Sequence, residues 1–191
     1  KLVQTVVGMT HVKAHDKIIE IGCGHGLVLK ELLKHIRPVY GADISKEMLH
    51  RVTDTTLSDK KVKIGESFKD IEPLDSDIDV FLTTDDILHT QVPSQYFDKI
   101  ISVEVLRYVD DIDKALGNIR NIMKDDSIYI FTAPNLWSLH LFPIKYSIRK
   151  MLNLVNKEKE LLQYFVTESS LKRKLKKLGF EIVGFRKMRY I

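Results

Sequence analysis

One cysteine stands in the 191 residues, Cys23, so no internal disulfide can form and a reducing, cytoplasmic setting is expected. Five prolines and nine glycines are too few for a collagen-like or low-complexity chain. No apolar stretch approaches the roughly 18 uncharged residues of a membrane-spanning helix, so no transmembrane segment is expected. Residues 1–10 lack the long apolar run and small-residue cleavage site of a signal peptide. The first residue is Lys1, which reads as a piece of a longer chain. The seven histidines show no metal-ligand spacing and have no second cysteine to join, so no metal site is expected. What is present is ordinary globular material. Apolar residues make up 44% and charged residues 29%, in a length that fits a single domain over residues 1–191.

The charge is unevenly placed. Residues 1–136 carry 17 Lys/Arg against 22 Asp/Glu, whereas residues 137–191 carry 13 against 4. A basic C-terminal third suits an anionic partner, such as a phosphate, an anionic lipid or an acidic substrate, although a solvated helix face explains it as well.

Short apolar runs alternate with amphipathic segments. Strands are expected at Lys17–Ile21, Val39–Ala42, Val80–Leu82, Lys99–Val103, Ser127–Thr132 and Phe180–Phe185. Helices are expected over Leu27–Ile36, from Ser45 through Val52, over Ile112–Met123 and over Thr167–Leu178. Ser45, and either Thr167 or Ser169, serve as N-caps, and Gly179 stands at the C′ position of the last helix. The polar stretch 60–79 fits this alternation poorly and reads as an insertion with a short strand at Val62–Ile64. The alternation predicts an α/β fold: a doubly wound, mainly parallel Rossmann-like sheet, helices on both faces and an antiparallel C-terminal strand. Residues 136–166 break the pattern and read as an insertion on the substrate side.

The most informative stretch is Glu20-Ile21-Gly22-Cys23-Gly24-His25-Gly26, between a predicted strand and a predicted helix. Its glycines let the backbone turn sharply and approach a ligand closely. Asp43 follows at the tip of the next strand, where an acid would hold a ribose hydroxyl pair. The glycine spacing departs from the dinucleotide pattern Gly-x-Gly-x-x-Gly, which disfavours a nicotinamide oxidoreductase.

EIGCGHG followed by GADIS resembles the nucleotide site of class I S-adenosylmethionine-dependent methyltransferases, in the broad small-molecule group. FDKIISVEVLRYVDD (residues 97–111), SIYIFTAPN (127–135) and LKKLGFEIVGF (175–185) extend the likeness. The resemblance implies S-adenosylmethionine as cofactor, with Gly22, Cys23, Gly24 and Gly26 against its methionine part and Glu20 organising the loop. It implies that Asp43 binds both ribose hydroxyls and that Ile44 flanks the adenine. An acid near the adenine amino group is Asp86, with Ile87 beside the ring; Asp85 and Glu66 are the alternatives that other counts give. Glu104 is implied near the cofactor, and, with the glycine motif starting near residue 22, the N-terminal helices that often lid such sites are expected to be mostly absent from these residues.

Methyl transfer from a sulfonium is an in-line displacement that chiefly needs alignment and exclusion of water, with a general base when the acceptor carries a proton. Relatives often carry Glu-His where this chain has Arg107 and Tyr108, so the familiar base is absent. His89, His140 and Tyr108 are the candidates left. The expected acceptor is a small molecule (metabolite, lipid, quinone-type ring or glycan), with amphiphilic or anionic character suited to the basic C-terminal third. A catalytically silent cofactor-binding regulator and an RNA methyltransferase are the alternatives. Nucleic acid is disfavoured as a partner, because the segment after the fourth strand lacks an Asn-Pro-Pro-Tyr-type motif.

Overall fold

All four residues of Ile18–Ile21 are buried, as a strand requires when both of its faces are covered. In the computed structural model, which describes residues 1–71, 74–133 and 167–186, this strand (β1) is an inner member of a six-stranded sheet. The others are β2 (Val39–Asp43), β3 (Val62–Gly65), β4 (Val80–Thr84), β5 (Phe97–Ser102) and β6 (Met123–Phe131). Their order is β3-β4-β2-β1-β5-β6 and every pairing is parallel. The helices are α1 (Leu2–Thr10), α2 (Leu27–Leu32), α3 (Lys46–Asp54), α4 (Ile112–Ile122) and α5 (Glu168–Lys177). The chain builds outward from β1 through β2 and then crosses back to β5 on its other side. That reversal opens a crevice at the C-terminal ends of the strands, where open α/β sheets bind ligands.

The strand alternation divides the core into two layers. Ile19, Ile21, Tyr40, Phe81 and Ile100 face α4 and α5. Ile18, Val39, Leu82 and Ile101 face α1, α2 and α3. Short polar side chains set the helix starts. Ser45 Oγ accepts from the Met48 N–H (3.2 Å), the Asp111 carboxylate from Lys114 (2.9 Å) and Thr167 Oγ1 from Ser170 (3.2 Å). Thr167, rather than Ser169, is therefore the cap of α5. At its end the Gly179 N–H reaches the Lys176 carbonyl and the Phe180 N–H reaches that of Leu175, with Gly179 at φ 80°.

The parallel sheet and its covering helices follow the expected pattern, with three differences. The insertion strand is a true edge strand: β3 pairs with β4, so β4 and not β3 lies beside β2. α2 stops at Leu32 and the chain continues to Ile36 in tight turns. The expected C-terminal strand at Phe180–Phe185 is not formed. Residues 181–186 carry no strand and Val183 and Phe185 are exposed, although the Phe180 ring lies against Tyr129 of the edge strand β6 (centroids 6.3 Å). The segment 136–166 lies outside the described residues.

Gly26 and Gly117 offer a paired test of this packing. A Cβ at Gly26 (φ 69°) would come within 2.3 Å of Val52 Cγ2, whereas one at Gly117 in α4 meets nothing within 4 Å. Gly26→Ala should cost about 2–4 kcal/mol in urea unfolding. Gly117→Ala should raise stability by about 0.5–1 kcal/mol.

Candidate functional site

The loop leaving β1 is clamped to the tip of β2. The Ala42 carbonyl accepts from the N–H groups of both Gly22 (2.7 Å) and Cys23 (3.0 Å). One residue on, the Asp43 carboxylate accepts from the Gly24 N–H (2.8 Å) and the Ser45 N–H (3.0 Å). Each oxygen of Asp43 thus has one protein donor and keeps a lone pair for a ligand hydroxyl. Gly24 itself sits at φ 45°, and a Cβ there would approach only the Gly22 carbonyl, at 4.0 Å. Among the described residues nothing closes the space over the middle of the loop. On its far side Gly22 is closed off by Val105, whose Cγ2 would lie 2.3 Å from a Cβ at Gly22.

Glu20 lies beneath this loop, 3% exposed, and burial pushes its carboxyl well above the usual range. The Leu29 N–H near the start of α2 offsets part of that cost, and the nearby Asp43 charge adds to it. Among the described residues its Oε2 has no hydrogen-bond partner. Cys23 is also buried, its thiol raised by desolvation and by the acids Glu20 and Asp43, so it is an inert packing residue of the loop.

Sheet order separates the three acids expected past the later strands. Thr84 pairs with Asp43, and the next N–H, that of Asp85, donates to the Asp43 carbonyl (3.1 Å). Glu66 follows β3, two strands from β2 and so about 10 Å away laterally. The Asp85 carboxylate accepts from Thr90 Oγ1 (2.6 Å) and the Gln91 N–H (2.8 Å); burial raises it against those bonds. Asp86 accepts from the Leu88 N–H (2.9 Å) and pairs with His89 Nδ1 (2.9 Å), and the histidine bond leads in lowering its carboxyl. Ile44 is 71% exposed at the rim, whereas Ile87 packs into the core with its carbonyl held by Asn118 (2.7 Å).

Glu104 closes the β5 side. It has a left-handed backbone (φ 62°), which costs a residue with a Cβ about 1 kcal/mol. Thr132 Oγ1 accepts its N–H (2.7 Å), and Arg107 pairs with its carboxylate. The Arg107 guanidinium lies 5.6 Å from the ring of Tyr108, which is exposed. His89 is exposed and has both ring nitrogens engaged, Nδ1 by Asp86 and Nε2 by Lys114 (3.2 Å). His140 lies outside the described residues. Among the described residues no cluster of His, Cys, Asp and Glu is arranged to hold a metal.

The Val105 buttress, the Thr132 bond and the exposed Leu27 at the start of α2 were not foreseen from sequence. Val105 and Thr132 meet the site only through strand pairing, and no spacing signals that.

These residues suit a nucleoside carrying an amino-acid chain: ribose on Asp43, a polar chain over the glycine loop, a ring against Ile44. The family described as "Methyltransferase domain" matches residues 7–184. The chain belongs to this family, the class I S-adenosylmethionine-dependent methyltransferases. The methyltransferase domain is 25% identical to an uncharacterized protein of Methanocaldococcus jannaschii over 198 residues, covering 96% of this chain and 68% of that one. It is 26% identical to the ubiquinone biosynthesis O-methyltransferase of Coxiella burnetii over 118 residues, 62% of this chain but only 43% of that protein. Among solved structures, an S-adenosylmethionine-dependent methyltransferase from Mesorhizobium loti superposes with a TM-score of 0.67 at 18% identity, covering 95% of this chain and 81% of that one. The phosphoethanolamine N-methyltransferase 2 of Haemonchus contortus superposes with 0.66 at 17%, covering 94% and 36%.

Two outcomes check the site. Gly24→Ala should lower stability by only about 1 kcal/mol, from the positive φ, yet weaken S-adenosylhomocysteine binding at least tenfold by calorimetry, because the new methyl enters the open space. Glu20, raised in the folded state, holds a proton that the unfolded chain has lost. Its contribution to wild-type stability should therefore fall as pH rises above the ordinary glutamate value of 4.5, so the difference in stability between wild type and Glu20→Gln should shrink with pH, read by urea titrations.

Proposed function

We propose that this domain transfers a methyl group from S-adenosylmethionine to a small-molecule acceptor of amphiphilic or anionic character. The observation that carries the reading is the Asp43 carboxylate, held by two backbone N–H groups at the tip of β2 beside the open glycine loop. When bound, the cofactor supplies a methyl carbon on a positively charged sulfur, open to displacement by an acceptor lone pair. The chain's own residues bind and align. Asp43 holds the ribose hydroxyls, Gly22, Cys23, Gly24 and Gly26 pass along the methionine part, and Ile44 flanks the adenine. Asp86 and the backbone at Ile87 stand at the amino end of the ring. Glu104, fixed by Thr132 and Arg107, lies on the acceptor side with Tyr108 exposed next to it.

The acceptor class has support from the relatives' names: a ubiquinone biosynthesis enzyme, a juvenile hormone acid O-methyltransferase of Drosophila melanogaster and a phosphoethanolamine N-methyltransferase. Arg107, at the position where relatives often carry an acid, pairs with Glu104 and brings the acceptor side closer to neutral. An RNA acceptor is less well served, because Lys172 and Lys174 of the basic α5 are tied to Glu168 and Asp113. No helix among the described residues is long and apolar enough to cross a membrane, and a cytoplasmic setting is part of the proposal.

Asp43→Ala should weaken S-adenosylmethionine and S-adenosylhomocysteine binding at least tenfold in calorimetry, through the loss of charge-assisted bonds to the ribose. Undiminished binding would exclude Asp43 from the cofactor site. Wild type should then convert S-adenosylmethionine to S-adenosylhomocysteine with a carboxylated or phosphorylated amphiphile and not with RNA; turnover on RNA alone would reverse the acceptor assignment.

A further inference from the structure

Glu20 has a property that the alignment of reactants does not use. It is a buried acid, among the described residues its Oε2 has no hydrogen-bond partner, and the donor that acts on it is the Leu29 N–H. The charged and titratable groups around it do not compensate. β2 offers Asp43, whose charge disfavours a second negative one, and the loop offers only the Cys23 thiol, itself raised by burial and by Glu20, which supplies no positive charge. On β5, Ile101 pairs with Glu20, and the nearest cation on that face, Lys99, stands two residues toward the opposite edge and does not act on Glu20. On α2, Lys30 is exposed and Glu31 pairs with Lys34. α1 carries no charged side chain between Leu2 and Thr10. His25, on the outer side of the loop, is exposed.

An ionised carboxylate at this position would be desolvated and without a counter-charge, which favours the neutral acid. A ligand that brings positive charge onto the loop reverses the preference. We propose that Glu20 is the neutral acid in the ligand-free domain and releases its proton to solvent when the sulfonium cofactor seats on the glycine loop. Capture of S-adenosylmethionine is thereby coupled to pH. The inference rests on the cofactor reading above and adds its regulation. Affinity for S-adenosylmethionine rises with pH between the bound-state and free-state titrations of Glu20, by at most tenfold per pH unit for one proton. S-adenosylhomocysteine lacks the sulfonium charge, so it draws out less of the proton. Discrimination between cofactor and spent product accordingly improves as pH rises through the same window.

Calorimetric titration in two buffers of different ionisation enthalpy, at several pH values above the ordinary glutamate value of 4.5, tests this. Wild type is expected to release protons on binding S-adenosylmethionine and fewer on binding S-adenosylhomocysteine. The release is expected to vanish in Glu20→Gln and to persist in His25→Ala. Should Glu20→Gln fail to fold, difference infrared spectra of the wild type give the same reading, as loss of a protonated-carboxyl stretch when S-adenosylmethionine binds. Binding without proton release, or a release that survives Glu20→Gln, overturns the proposal and leaves the cofactor assignment standing. Absence of binding by either ligand contradicts the cofactor assignment, and the coupling falls with it.

Discussion

The site depends on the double hydrogen bond by which the Ala42 carbonyl holds the first two N–H groups of the loop leaving β1. It fixes where the loop starts, and therefore where the Gly24 N–H meets Asp43. Without it the open space over Gly24 and the carboxylate beside it would not share one geometry. The clamp exists because β1 and β2 are parallel neighbours with Ile21 opposite Ala42, so the end of one strand meets the carbonyl at the end of the other. Gly26, closely packed on Val52, then sends the chain into α2, and Val105 closes the other flank over Gly22. Among the described residues, the binding loop is held on three sides by the fold and left open on the fourth.

Charge is arranged around this loop with few cations. Glu20 lies below it, Asp43 beside it, Asp85 and Asp86 past the tip of β4 and Glu104 across from it. A crevice with acidic walls suits a cofactor with a sulfonium, and its low dielectric strengthens that preference. Arg107 is the exception, and its pairing with Glu104 removes one negative charge on the acceptor side while leaving Glu20 and Asp43 uncompensated. Electrostatics thus sets an acidic side at the glycine loop and Asp43 against a more neutral side at Glu104 and Arg107.

Much of the fold was legible in the sequence because both of its periodicities are strong. Ile18–Ile21 is buried on both faces, and the α4 pattern of Ile112, Ala115, Leu116 and Ile119 is that of a one-sided helix. The turn at Gly22, Gly24 and Gly26 and the place of Asp43 at the tip of β2 were legible because few residues other than glycine adopt the positive φ of that loop and because the apolar run before Asp43 marks its strand. The acid past β4 was ambiguous from sequence for a topological reason. The additional edge strand β3 lengthens the chain between Asp43 and β4, and a count along the chain cannot tell an edge insertion from the strand next to β2. The C-terminal strand failed for a different reason. Phe180–Phe185 has the right side chains, but a strand exists only with a partner, and pairing is not written in one segment's composition.

The central claim is that the clamped loop, the tip of β2 and the turn after β4 form one cofactor site. Amide chemical-shift mapping by ¹H–¹⁵N NMR during titration with S-adenosylmethionine tests it most directly. The account predicts that the amides of residues 22–26, 43–45 and 85–88 move together on a single binding curve, with those of β3 and α5 unchanged. Shifts confined to α5 or β3, or separate curves for the glycine loop and the β4 turn, would contradict it.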